Sequence, residues 1–421
     1  MPDPELTRGE YVRTLLLAGL IGVPVAFAAV LFQTAIHDVT HVVWEDVPDW
    51  LGWDEPAALY VLLVPAVAGL LVAAAVRLPG HGGHSPIDGI GVDPVRPVEL
   101  GSILLASLAT LGFGVVLGPE APLIALGLAL PALLVHVVRV KDAELRLLVL
   151  AGAFAAIAAL FGGPIVASLM LLELLALSGA IPARAIGKAL LPGFVAAGTG
   201  ALVFTGVAGW AGLHQQNLSL PDVEAYDAVR LVDLAWAVVI ALAIGVLVVA
   251  AQRAARAIDA RASARRALWL AGAGLLIGAL AVAFRELADR PVDLVLFSGQ
   301  AAMPELIAEG SAGVLVLVVL VKGVAYALSL GAGFRGGPVF PAIALGTALA
   351  VAAADFLPGL ETTPAIAAGM AAGTAIVLRA PFTGALLASV LIGSAAADTA
   401  PIVVVAAVAG ALVGQTLHEP K

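Results

Sequence analysis

Fourteen apolar stretches punctuate the chain, near residues 14–32, 57–76, 100–117, 122–138, 146–161, 164–178, 189–208, 231–251, 267–284, 313–331, 340–356, 364–378, 382–396 and 401–417. None alternates with a two-residue period, and Ala, Leu, Val and Gly dominate them, so they predict helices rather than barrel strands. Several are only 15 to 17 residues long, with Gly or Pro at the joins. A simple membrane span needs about 20 apolar residues. Short, interrupted segments therefore predict helices that stop part-way through a bilayer and aim their ends at a central site.

A pattern inside this series repeats. Residues 118–130, GPEAPLIALGLAL, lie on residues 337–349, GPVFPAIALGTAL, with nine of 13 positions identical at an offset of 219. A weaker echo follows at an offset of 217: Ala151, Gly152, Ala155, Ala158 and Pro164 match Ala368, Gly369, Ala372, Ala375 and Pro381. Two motifs in the same order predict a duplicated chain. The division is expected to run as an N-terminal segment 1–13, a first repeat 14–252, a basic connecting loop 253–266 and a second repeat 267–417.

Each copy of the first motif opens with Gly-Pro and meets a second Pro before its helical run. Proline suits the first turn of a helix, and glycine lets the chain turn sharply into it. Each copy thus predicts a helix N-terminus inside the membrane. The first-turn N–H groups have no intrahelical partner and cost several kcal/mol each in hydrocarbon unless something accepts from them. An anion does so, aided by the helix dipole. The candidate anion-binding positions are Gly118, Ala121, Gly337, Val339 and Phe340. Two such ends would make an anion site without a full cationic charge, which would hold the ion too tightly for conduction.

Glu120 stands in the first copy alone. An ionisable side chain in a membrane segment is a functional candidate by default. As a carboxylate it competes with the anion for the same N–H groups; protonated, it loses that attraction and can swing away. Such competition gives a gate or proton-coupled exchange. The competing structural reading is a glutamate that caps its own helix.

Composition fits this picture. Of 421 residues, 61% are hydrophobic and 12% charged, and mean hydropathy is +1.06, so lipid must be the solvent. The absence of cysteine excludes disulfides and thiol chemistry. A net charge of −9 with few basic clusters argues against a nucleic-acid partner. Arg8 and Arg13, and the run Arg253, Arg256, Arg261, Arg265 and Arg266, are expected on the cytoplasmic face of an inner membrane. The first apolar run is expected to stay in the bilayer rather than be cleaved.

The motifs resemble those of the CLC chloride channel and transporter superfamily. Leu117-Gly118-Pro119-Glu120-Ala121-Pro122 is similar to the family's G-[KR]-E-G-P, whose glutamate is the external gate. Gly336-Gly337-Pro338-Val339-Phe340-Pro341 is similar to its G-G-x-F-x-P, whose amides bind the anion. Phe161-Gly162-Gly163-Pro164 with Glu173, and Arg379-Ala380-Pro381-Phe382-Thr383-Gly384, resemble two further family stretches. The resemblance implies an all-α polytopic fold of about 17–18 helices in inverted repeats, and a homodimer with one pore per subunit. It further implies transport of chloride or related anions, passively or in exchange for protons, without a cofactor; no CBS domains are expected.

The chain also departs from the family. The loop Gly80-His81-Gly82-Gly83-His84-Ser85-Pro86 puts Gly82 or Gly83 where the family has an anion-touching serine. Ala395 or Ala396 replaces the central tyrosine, and Leu174 falls at the internal proton glutamate. The neighbouring Glu173 is expected to satisfy donors in the interior. Gly-Pro-Glu-Ala-Pro lacks the basic residue and second glycine; some bacterial ion-transport relatives have a similar G-P-E-x-P. His81 and His84 are expected first in a solvated loop, second in the inner pathway as anion attractors or proton relays, and only last as metal ligands. Lys322 and Arg379 are expected to pair with carboxylates or carbonyls. Ser102, Thr110 and Thr383 are expected to bond within helices. Two other classes compete with anion transport: an intramembrane enzyme using His81, His84 and Glu120, perhaps with a metal, and a cation or solute carrier. No H-E-x-x-H or cofactor motif supports the former, and two helix N-termini would repel a cation.

Overall fold

A computed structural model describes residues 6–134, 140–179, 183–207, 220, 223–224, 226–262 and 265–416. Sixteen α-helices are found among them. They are α1 (Arg8–His41), α2 (Val47–Trp50), α3 (Ala58–Ala75), α4 (Pro97–Gly112), α5 (Glu120–Leu134), α6 (Asp142–Phe161), α7 (Pro164–Ser178), α8 (Ala183–Leu202), α9 (Leu231–Ala262), α10 (Arg266–Ala288), α11 (Met303–Ala308), α12 (Ala312–Ala332), α13 (Val339–Ala354), α14 (Thr362–Leu378), α15 (Pro381–Ile392) and α16 (Ala396–Thr416). Eight helical stretches are long and apolar enough to cross a membrane, whereas α4, α5, α7, α13 and α14 are shorter apolar helices. This is a multi-pass membrane fold.

The packing repeats itself. α1 packs on α4, α5, α6 and α8, and α9 packs on α12, α13, α14 and α16. α5 lies on α6 and α6 on α8, just as α13 lies on α14 and α14 on α16. α3 and α10 pack on each other and join the two sets. The repeated glycines explain the close approach. A Cβ at Gly152 of α6 would overlap the Gly127 carbonyl of α5, and one at Gly369 of α14 would overlap the Gly346 carbonyl of α13. Without a side chain between them, the backbones come into van der Waals contact, the main attraction between helices in lipid.

Three boundaries differ from expectation. The basic stretch 253–266 is not a loop throughout, since α9 continues to Ala262. Its Ala and Arg residues are strong helix formers and carry the helix beyond the apolar part. The N-terminal segment is helical from Arg8, where Thr7 and Glu10 form a capping box. The stretch 100–117 breaks after Gly112, and Gly114 takes a left-handed φ of 83°. Residues 113–119 are thereby released from helix to form the approach to α5.

Candidate functional site

The two Gly-Pro turns meet. Gly118 N–H donates to the Gly337 carbonyl at 2.7 Å, and Gly337 N–H donates to the Gly118 carbonyl at 2.6 Å. This antiparallel bridge sits two residues before the start of α5 and of α13, so both helix N-termini open onto the same point. The structure thus spends two of the expected donors, the amides of Gly118 and Gly337, on each other. They clamp the turns together and leave the first-turn amides of α13 facing the site.

Glu120 fills the place beside that clamp. It is fully buried, and its Oε1 accepts from Phe340 N–H at 2.8 Å. Its Oε2 is buried without a hydrogen-bond partner. The carboxylate reaches across from the first N-terminus to the first turn of the second. It lies flat on two glycines: a Cβ at Gly118 or at Gly337 would overlap its oxygens. Side chains around it brace the turns. Tyr326 of α12 donates to the Pro338 carbonyl at 2.9 Å, and Ser329 Oγ accepts from Val116 N–H at 3.2 Å.

A cavity lies on either side of this constriction. One, about 580 Å³, is lined by Leu117 and Pro119 together with Trp44, His37, Arg285 and residues 289–293 and 297–302. The other, about 510 Å³, is lined by Ala121, Pro122, Ala125, Gly336, Arg335 and the loop Pro79–His84. Arg266, in the basic run, donates to Asp259 and to the Ala332 carbonyl at the end of α12. The second cavity therefore opens on the same side as that run, and α10, about 34 Å long at 1.5 Å per residue, carries Arg285 to the opposite side.

The remaining candidates are distributed unevenly. His81, Gly82, Gly83 and His84 line the second cavity, as does Ala121. The amides of Gly82 and Gly83 are already donated, to Ser102 Oγ at 3.1 Å and to the Gly80 carbonyl at 2.8 Å. Left-handed backbone at 80–83 turns the loop back on itself. Ala395 and Ala396 lie at the α15–α16 junction and line neither cavity. Val339 is buried in the first turn of α13. No group of three His, Asp or Glu side chains among the described residues is placed to hold a metal ion.

Other polar residues hold the scaffold. Glu173 accepts from Phe382 N–H, Thr383 N–H and the Thr383 hydroxyl at 2.6–3.0 Å, capping the start of α15. Thr383 therefore bonds across helices instead of within its own. Lys322 is fully buried and donates to the carbonyls of Leu294, Val295, Leu296 and Phe297. Thr110 bonds within α4 but also accepts from Arg335 N–H. Arg335 is the residue that sequence reasoning passed over. Its signal was a charge placed immediately before the second Gly-Gly-Pro in an otherwise apolar region.

Comparison with known proteins bears on the family and the fold. Residues 81–414 match the voltage gated chloride channel family. "Putative ion-transport protein YfeO" of Escherichia coli O1:K1 / APEC is 29% identical over 394 residues, 90% of this chain and 89% of that protein. Its counterpart in E. coli strain K12 / DH10B is 28% identical over the same span. Among solved structures, a slow cyanobacterial Cl−/H+ antiporter superposes with a TM-score of 0.79 at 19% identity, over 98% of this chain and 96% of that one. A CLC-type fluoride/proton antiporter gives 0.67 at 20% identity, with 96% of each chain covered. At these identities the two structures establish the fold.

Proposed function

The chain belongs to the voltage gated chloride channel family, and from that premise we propose that it carries small inorganic anions across the membrane through the Gly118–Gly337 constriction. The observation that carries this reading is Glu120, whose buried carboxylate takes the Phe340 amide from the opposite half-helix. An anion arriving from either cavity finds its donors occupied by a carboxylate of like charge. Protonation weakens the carboxylate's hold, the side chain leaves, and the anion takes its place. A carboxylate that competes with the ion in this way links the anion's passage to a proton.

Exchange of an anion for protons is accordingly the first reading, with chloride or another small halide as the cargo and fluoride included. An uncoupled channel is the second. Leu174 is an apolar side chain where the family places its internal glutamate, and Glu173 beside it is committed to capping α15. Flux in proteoliposomes separates the two. A chloride or fluoride gradient that drives proton uptake supports exchange, anion flux without proton movement supports the channel, and no anion flux removes both.

Assembly as a homodimer in the bacterial plasma membrane belongs to the same proposal, with the basic run on the cytoplasmic face. A division of the repeats into α1–α8 and α9–α16 also belongs to it; it moves α9 (Leu231–Ala262) out of the expected first repeat, 14–252, and the matched packing of α1 and α9 is its support.

A further inference from the structure

The second cavity contains a charge that the gate does not use. Arg335 projects into it from the turn before α13. Its Nη1 donates to the His84 carbonyl at 3.2 Å and its Nη2 to the His81 carbonyl at 3.0 Å. Its Nε is buried and has no hydrogen-bond partner. Among the described residues no carboxylate pairs with it: Arg96 takes Glu99 and Arg266 takes Asp259. A guanidinium held by two neutral carbonyls keeps its full charge, and a buried N–H without an acceptor is destabilising. Both facts call for an anion.

The loop is shaped around this side chain. Gly82 has a φ of 78°, and a Cβ there would lie 2.9 Å from Arg335 Nε and 3.1 Å from its Cγ. Any side chain at Gly82 would displace the guanidinium. The loop therefore contributes space, and Arg335 contributes the donor. Gly336, Ala121 and Pro122 line the same cavity, so an ion held by Arg335 would share it with the α5 N-terminal turn.

We propose that Arg335 is an anion ligand of this protein: its Nε–H and charge bind a small monovalent anion in the second cavity, on the side of the constriction away from residues 289–302. The inference rests on the transport reading for its purpose, since it supplies the ion that Glu120 admits. It accounts for the lack of free donors at Gly82 and Gly83, whose amides are internally bonded. The arrangement also separates tasks. The permanent charge holds an ion at the cavity, while the donors at the constriction are only amide dipoles and so let the ion pass once Glu120 has left.

Bromide, which scatters anomalously, tests this in crystals of the wild-type protein and of Glu120→Gln. The expected result is an anomalous peak beside Arg335 Nε in both, and a second peak at the Phe340 amide in Glu120→Gln. Arg335→Gln in that background, which retains an amide donor for the loop carbonyls, should lose the first peak and keep the second. In solution, the chloride-dependent rise in Tm should need about tenfold more chloride in Arg335→Gln, as expected for a lost charge-assisted bond. A merely structural latch would lower Tm equally at every chloride concentration. No peak at Nε in either protein overturns the inference, whether or not bromide occupies the amide. A peak at Nε with none at the Phe340 amide leaves Arg335 a ligand and sinks the gate instead. Should Arg335→Gln not fold, the wild-type and Glu120→Gln maps decide the matter.

Discussion

Gly118 and Gly337 exchange both of their backbone hydrogen bonds, at 2.7 and 2.6 Å, across 219 residues of sequence. They are the same position of the repeat, so each half of the chain presents its turn to its own counterpart. An antiparallel pairing of equivalent residues is what a twofold relation between inverted halves requires. That symmetry brings two helix N-termini to one point, and a single Glu120 breaks it.

Replacing Glu120 with Gln removes the charge and keeps the shape. Proton movement driven by an anion gradient should fall to background, while anion flux persists and loses its dependence on pH. Reconstituted vesicles with a pH-sensitive dye and an anion electrode measure both. Unchanged coupling and unchanged pH dependence in this variant would remove Glu120 as the gate.

Gly337→Ala inserts a methyl group where the Glu120 carboxylate lies. The carboxylate must leave or the bridge must open, at about 1–3 kcal/mol for an overpacked interior. Lower Tm and raised anion leak are expected together. Gly101→Ala is the control: it sits in α4 with nothing within 4 Å, so Tm should be unchanged or slightly higher, since Ala is the better helix former.

Glu173→Ala leaves three donors at the start of α15 unpaired. Phe382 N–H is exposed and the two Thr383 donors are partly buried, so a total loss of about 1–3 kcal/mol sets the scale. Thermal unfolding should shift down markedly, and the pH profile of anion flux in surviving protein should match wild type. A changed profile at unchanged Tm would assign Glu173 to the proton path.

Lys322→Met strips four carbonyls at 294–297 of their common donor. These residues belong to the stretch beside the first cavity, where Phe297 takes a left-handed φ of 58°. Protease sensitivity between α10 and α12 should rise and Tm fall. Arg in place of Lys322 should not restore them, because there is little room beside Nζ: even a Cβ at Gly299 would lie 3.3 Å from it.

Outside the spans, Arg290 donates to Glu309 at 2.7 Å, and this bond holds the Glu309 carboxyl below its usual range. A carboxyl depressed in the folded state contributes stability above its unfolded pKa and loses it as pH falls through the folded value. Wild type should therefore be more stable than Glu309→Gln at neutral pH, with the gap closing below about pH 4. Parallel Tm curves across pH would contradict this.

The membrane class, the duplication and the Gly-Pro turns were determined by the sequence alone, because each depends on local chemistry: apolar length, identity at a fixed offset, and the fit of proline to a first turn. Glu120 was legible for the same reason, a carboxylate in an apolar segment. The basic run was misjudged because Arg marks both loops and helix ends. Only the tertiary structure decided which amides remain free. Gly118 and Gly337 use theirs on each other, Gly82 and Gly83 give theirs to neighbours, and Phe340 offers its own to Glu120. Hydrogen bonds between residues more than 200 apart in sequence depend on how the halves dock, and no local pattern records that. Arg335 shows this most plainly, since its partners, His81 and His84, come from the other half of the chain.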